Sequence, residues 1–567
     1  GYAYTHGVSS FPLPYKTIGQ VLRETTEKHP DDIAVVSKHQ NIRLTYRELL
    51  ERSEKVAASL IHLGFEKGDR VGIYSQNNIE WIVTQFATAL ADLILVNINP
   101  AYRANELKYA LEKVGCKGLI LSPIFKTSNY INILQEIAPE IPNSDGRHVK
   151  SATLPDLKVV IRLGKEKTKG YLNFDDLYEN HTREDVEKLH RVENNAAPED
   201  PINIQFTSGT TGFPKGATLC HQNILHNGLF VGRRCGYTSK DSICVTVPLY
   251  HCFGMVMANL AAVTYGAKLV YPDEGFNAYS SLKAIHEERL TSVYGVPTMF
   301  IEMLRVNDEH KGKFDLSSVR TGIIAGSVAP RPILERIINE LNCKEITNAY
   351  GMTETSPVSF QTTATDSFED RVASVGKILP HLEAKVVDPE GRIVHPGFPG
   401  ELWVRGATVM LQYWGDPKNT EKSIHRGWMK TGDLATIDER GYCRIVGRVK
   451  DMIIRGGENV YPKEIEEFLL RHPEIEDVQV VGVNDEKFGE EIAALIKPKD
   501  IKNPPSKKDI LAFCKDKIAH YKVPKFIKFV SSYPMTVTGK PQKNKMRDEL
   551  NEDLKDKTRF EEYRIRQ

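Results

Sequence analysis

The feature that most constrains this chain is an alternation of apolar segments in its first third. Val71–Tyr74 reads as a strand, and Asn78–Leu90 as a helix with Ile79, Ile82, Val83 and Phe86 on one face. Leu93–Val96 is a continuous apolar strand closed by an Asn99-Pro100 turn; a helix over Asn105–Val114 and a strand over Gly118–Leu121 follow. Strand, helix and strand in repetition predict a doubly wound, parallel α/β architecture.

Residues 143–200 are more polar, with mixed charge at Lys165–Lys169 and Thr182–Glu193, and read as a surface excursion or an ordinary exposed helix with loops. A second α/β stretch runs from Pro201 to about Ser359. Between Glu383 and Gly447, short apolar segments (Ala384–Val387, Glu401–Val404, Cys443–Val446) alternate with Gly- and Pro-containing turns, which predicts antiparallel strands and a small β-barrel. A boundary near Val449–Lys450 separates residues 1–449 from 450–567. Beyond it, Tyr461–Arg471 reads as a helix with Pro462 in its first turn. Val478–Val483, Ile492–Ile496 and Phe526–Val530 read as strands, and a helix starts near Ser506 with Asp509 at capping-box spacing. The fold class is therefore α/β: a large N-terminal domain of parallel α/β subdomains plus a small barrel, then a small α+β domain.

Composition removes several classes of function. A length of 567 residues predicts more than one domain, and a net charge of +1 argues against a chain that binds nucleic acid through its overall charge. Hydrophobic residues at 41% and charged residues at 26% are globular values. The most apolar stretch, Phe86–Val96, is short and contains Asp92, so no transmembrane segment is expected. Eight scattered cysteines without a CxxC pair read as reduced core thiols. Lys497–Arg547 holds 13 lysines and one arginine against Asp500, Asp509 and Asp516, which suits a solvated face or a phosphate-rich partner.

The strongest local signal is Thr207-Ser208-Gly209-Thr210-Thr211-Gly212-Phe213-Pro214-Lys215-Gly216, which follows the strand-like Ile202–Phe206. Its glycines permit close backbone approach, its hydroxyls and N–H groups can donate to phosphate oxygens, and Lys215 adds a point charge. The spacing does not fit GxxxxGK[ST], so it is not a P-loop of the Walker kind.

This loop resembles the signature of the adenylate-forming superfamily, which includes acyl-CoA synthetases, firefly-type luciferases and peptide-synthetase adenylation domains. Further motifs agree in order: Pro248–Met255 (PLYHCFGM), Tyr350–Pro357 (YGMTETSP), Thr431-Gly432-Asp433, Gly447–Asn459 (GRVKDMIIRGGEN) and Thr538-Gly539-Lys540. The resemblance covers nearly the whole chain and is greatest to the medium-chain acyl-CoA synthetase group, which is mitochondrial in animals. It implies ATP, Mg²⁺, coenzyme A and a small carboxylic acid as reactants. It also implies a mobile C-terminal domain with its hinge at Lys450, where many members carry Asp. The implied compartment is the mitochondrial matrix, with the cytoplasm as the other reading. A start at Gly1 fits a lost leader, and Arg564–Gln567 is not a peroxisomal address.

The same resemblance assigns roles. Glu354 is the carboxylate for the metal, and Thr353 beside it a hydroxyl for phosphate. Asp433 accepts the ribose hydroxyls, although a lone Thr-Gly-Asp is otherwise a turn. Arg448 completes the ribose or phosphate contact, and Tyr350 and Gly326 frame the adenine. Lys540 stabilises charge on the reacting carboxylate and α-phosphate; read alone it is one lysine among thirteen. His251 lies near the carboxylate and thiol entry, where a lone histidine among apolar residues is otherwise a core side chain. Cys252 is a bystander. Gly456 and Gly457, in the Arg455–Asn459 loop, line a pantetheine tunnel once that loop replaces Lys540. The expected acyl pocket lies around Leu249–Met255, Tyr294–Pro297 and Tyr350–Met352, whose apolar character disfavours an amino-acid substrate. Luciferase-like oxygenation of an adenylate, and a non-catalytic nucleotide-binding protein, are the competing readings. Light with a luciferin and oxygen would favour the first, and acid-dependent ATP consumption would exclude the second.

Overall fold

A computed structural model describes residues 1–207, 213–325, 329–536 and 540–566. Two parallel-cored sheets dominate. The first orders its strands Leu172–Asn173, Val159–Arg162, Gly118–Leu121, Arg70–Tyr74, Ile94–Ile98, Pro201–Thr207, Lys215–Cys220 and Gln412–Tyr413. Its first six strands are parallel and its last two antiparallel. The second sheet has a parallel centre running from Glu345–Gly351 through Thr321–Ala325, Ser292–Gly295, Ser242–Cys244 and Lys268–Tyr271 to Ile33–Ser37.

The helices between these sheets explain the apolar alternation. Ile79–Leu90 starts at Asn78, whose side chain accepts the Trp81 N–H at 2.9 Å, and all its residues but Glu80 are buried. A helix apolar on every side must be covered on every side, and this one shares a core cluster with residues of both sheets. The polar stretch 143–200 is less of an excursion than its composition suggests. It contributes Val159–Arg162, a fully buried strand parallel to Gly118–Leu121, before the exposed helix Arg183–Asn195.

Antiparallel strands form a third sheet, in the order Tyr4–His6, Leu382–Val387, Gly400–Gly406, Trp428–Ile437 and Ile424–His425, with Cys443–Arg448 on Trp428–Ile437. Among the described residues this path stays open: no pairing closes it into a barrel.

The last sheet is built from residues 453–529 alone. The two strands read from sequence are one long hairpin, Ile475–Asp485 with Gly489–Pro498, and Phe526–Phe529 adds in parallel. Pro462 opens the helix Pro462–Leu469, and Ser506 with Asp509 forms the capping box of Lys507–Cys514. A buried ion triad fixes the chain's end here. Glu491 accepts from Arg455 Nε at 2.9 Å and Arg566 Nη2 at 2.5 Å, and its side chain is 1% exposed. Removing the shared carboxylate strands two guanidinium groups in the interior. Glu491→Ala is therefore expected to destabilise this unit by about 3–5 kcal/mol, read as faster hydrogen exchange of residues 475–498 in mild urea.

Candidate active site

Thr207 ends one strand and pairs antiparallel with Lys215, which begins the next. Ser208, Gly209, Thr210, Thr211, Gly212, Gly326, Thr538 and Gly539 lie outside the described residues. The far side of the loop is anchored. Exposed Phe213 stacks on Tyr109 with centroids 4.9 Å apart, and the Tyr109 hydroxyl donates to the Pro214 carbonyl at 2.8 Å. The Lys215 ammonium sits 5.7 Å from the centre of the Tyr413 ring.

Tyr413 also holds Glu354. Its hydroxyl donates to Glu354 Oε2 at 2.7 Å, and the Met410 N–H donates to the Glu354 carbonyl at 2.9 Å. Glu354 is buried in the short turn Thr353–Thr355. Burial raises its carboxyl pKa, while Tyr413, Lys215 and Arg448 pull it back down. Neither residue near Tyr413 in sequence signals this contact; it crosses 59 positions.

Asp433 does not follow a turn, as its tripeptide suggests. It sits inside the strand Trp428–Ile437. Trp403 pairs with Lys430 and Glu401 with Leu434, so Thr431, Gly432 and Asp433 bulge opposite Leu402 alone. Gly432 takes φ +73°, which a side chain would resist. The bulge aims the carboxylate: Tyr350 donates to Asp433 Oδ2 at 2.5 Å, and Arg448 Nε lies 3.7 Å from Oδ1. Burial raises the Asp433 pKa against the pull of Arg448 and Tyr350.

Lys540 arrives from the C-terminal unit. Its N–H donates to Thr536 Oγ1 at 3.0 Å, and the Thr536 N–H donates to its carbonyl at 2.7 Å. Lys540 is solvent-exposed. The protein packed around it and the Arg448 charge lower its pKa, and Asp433 and Glu354 oppose them. Lys450, in the turn Val449–Asp451, is lowered to about 8 by burial first and then by Arg448. Lys463 clamps the same unit in place by donating to the Ile445 carbonyl, a contact with no signal in the sequence.

His251 lies near Lys540. Its Nδ1 accepts the Phe253 N–H at 3.2 Å, so the neutral ring carries its proton on Nε2. His251 is itself exposed, but the protein packed around it, and then the Lys540 charge, lower its pKa to about 4. Burial pushes the Cys252 thiol up to about 12, which leaves no thiolate for a His-Cys pair.

The structure thus brings Lys215, Glu354, Tyr350, Asp433, Arg448, Lys540 and His251 to one place. Cations outnumber carboxylates there, which suits a polyanion. Magnesium would travel with ATP: among the described residues no group of three His, Cys, Asp or Glu could hold it, so phosphate oxygens would complete a site at the Glu354 carboxylate. Gly456 and Gly457 lie in the C-terminal sheet. They take φ +56° and +84° at the tip of the hairpin in which Arg455 pairs with Glu458, the two-residue turn that demands glycine.

Lys215, Glu354, Asp433 and Arg448 of the long N-terminal segment together with Lys540 from near the C-terminus make a mixed-charge site of the kind an adenylating enzyme uses. Family models agree: "AMP-binding enzyme" matches residues 22–414, and "AMP-binding enzyme C-terminal domain" matches residues 464–540. The chain belongs to the AMP-binding enzyme family. It is 46% identical to the zebrafish (Danio rerio) protein named medium-chain acyl-CoA ligase ACSF2, mitochondrial, over 97% of this chain and 91% of that one. It is 44% identical to the human protein of the same name, over 98% and 91%. Among solved structures, the anthranilate CoA ligase AuaEII in complex with anthranoyl-AMP matches with TM-score 0.81 and 26% identity, covering 95% of this chain and 98% of that one. ATP-bound MatB from Rhodopseudomonas palustris matches with TM-score 0.78 and 27% identity, over 94% and 99%.

Proposed function

We propose that this chain is an AMP-forming acid:CoA ligase for medium-chain fatty acids, working in the mitochondrial matrix. The observation that carries the reading is that both AMP-binding family models match the chain and that Lys540, from the C-terminal segment, lies near enough to Asp433 and Glu354 to interact with them. The names of the relatives supply the acid class and the organelle.

In the first step a carboxylate oxygen of the acid attacks the α-phosphorus of ATP. The bond from that phosphorus to the bridging oxygen breaks, and pyrophosphate leaves. Lys215 and its loop would hold phosphates, Asp433 the ribose hydroxyls, Arg448 and Tyr350 the Asp433 carboxylate, and Thr353 a phosphate oxygen. Lys540 would meet the negative charge that grows between acid and α-phosphate. Bound magnesium would neutralise phosphate charge beside Glu354. In the second step the thiol sulfur attacks the acyl carbon, AMP leaves with the carboxyl oxygen, and the thiol proton passes to solvent. Residues 1–449 and 450–567 would act as separate bodies turning at Lys450, with the Arg455–Asn459 hairpin replacing Lys540 for CoA.

The test is acid-dependent pyrophosphate release over straight-chain acids of two to sixteen carbons and several aryl acids, with and without CoA. A maximum between six and twelve carbons with matching thioester is expected. Release without thioester points to another acceptor, and no release with any acid sinks the reading.

A further inference from the structure

Immediately after His251 the chain does something costly. Met255–Leu260 is a π-helix, one residue wider per turn than an α-helix, and every residue in it is buried. Such turns are rare and concentrate at functional sites. A wide turn in an apolar core persists only where its neighbours match its polar groups.

Here they do so from three separate elements. Gln85, on the helix Ile79–Leu90, donates from Nε2 to the Met255 carbonyl at 3.1 Å. Its Oε1 accepts from Asn259, inside the π-turn, at 2.9 Å. Tyr271, at the end of the strand Lys268–Tyr271, donates to Asn259 Oδ1 at 2.7 Å. Tyr294, on the strand Ser292–Gly295, donates to the Met257 carbonyl at 2.7 Å. All four side chains are buried, at 0–2% exposure. The chain also permits the close approach this needs: a Cβ on Gly228 would come within 3.0 Å of Leu260, and one on Gly254 within 2.3 Å of the Pro248 carbonyl.

We infer that Gln85, with Asn259, Tyr271 and Tyr294, is a positioning residue that sets which acids are accepted, by locking this wide turn behind His251. The inference rests on the acid:CoA ligase reading. Relaxation to an α-helical register would drop one residue from the turn and swing the flanking side chains by about 100°. Phe253, which packs on Tyr294 with centroids 5.4 Å apart, and Met255 would move with it. Partly buried Tyr250, Val296 and Met352 lie on the same core and would face a differently shaped wall. The ATP groups, on Asp433 and Glu354, lie on other elements.

The experiment measures kcat/KM for straight-chain acids of four, eight and twelve carbons in wild type, Gln85→Leu and Tyr294→Phe, with KM for ATP alongside. Gln85→Leu is expected to shrink the ratio between the best and worst acid by about tenfold, the scale on which pocket shape discriminates. KM for ATP should stay at the wild-type value. A merely structural loss lowers the rates for all acids by one factor and leaves the ratio unchanged. Unchanged ratios in both variants overturn the inference. Should Gln85→Leu fail to fold, Tyr294→Phe, which removes one oxygen, decides alone. Wild-type inactivity with every acid would instead sink the ligase reading, and this inference with it.

Discussion

Replacing Lys540 with methionine is expected to cut acid-dependent pyrophosphate release by about 10²–10³-fold, the loss seen when one donor to a developing anion is deleted. The ammonium comes from beyond residue 450 and interacts with both Asp433 and Glu354. Methionine keeps much of the side-chain length and removes the charge and its N–H donors. Thioester formation from preformed acyl-adenylate and CoA should be unaffected, because the α-phosphate chemistry is then already complete. Equal loss in both half-reactions would count against this division of labour. The pH dependence follows in sign. The protein packed around it and Arg448 hold the Lys540 pKa below the ordinary lysine value. The protonated form is the active one, so Lys540 should sustain adenylation at neutral pH. It should decline as pH rises through that lowered pKa, earlier than an ordinary lysine allows. Lys540→Arg, whose guanidinium stays charged, should move that alkaline decline upward even where its rate is lower.

Asp433→Ala is expected to lower kcat/KM for ATP by about 100-fold, as two hydrogen bonds to a charged group at roughly 1.5 kcal/mol each would require. KM for the acid should change little, since in the proposed role the carboxylate meets the nucleotide and not the acyl chain. The Tyr350 hydroxyl, 2.5 Å from Asp433 Oδ2, makes Tyr350→Phe a smaller version of the same defect. Steady-state kinetics with ATP varied at saturating acid and CoA would measure both. An acid-side defect in Asp433→Ala would remove the ribose assignment.

Much of this was legible beforehand, for physical reasons. Ile79–Leu90 carries its own N-cap at Asn78 and its own periodicity, so local rules suffice. The same holds for Ser506 with Asp509. Val159–Arg162 was hidden because four buried residues sit within a long polar stretch, and only the neighbouring strand Gly118–Leu121 tells them where to go. At the site, motifs in series named Glu354, Asp433 and Lys540, but not what holds them. Tyr413 under Glu354, Lys463 on Ile445 and the bulge at Gly432 are products of pairing across the fold. Gly456 and Gly457 carry two demands at once, since the Arg455–Glu458 hairpin requires them whatever else the tip does.

The most direct measurement follows an oxygen atom. The acid would be supplied with both carboxyl oxygens as ¹⁸O, with ATP and CoA, and the products examined by mass spectrometry. Attack of the carboxylate on the α-phosphorus, then cleavage of the acyl carbon–oxygen bond by the thiol, leaves one ¹⁸O in AMP and one in the thioester. Label in inorganic phosphate, with ADP as the nucleotide product, would mean attack on the γ-phosphorus and would contradict the adenylate route.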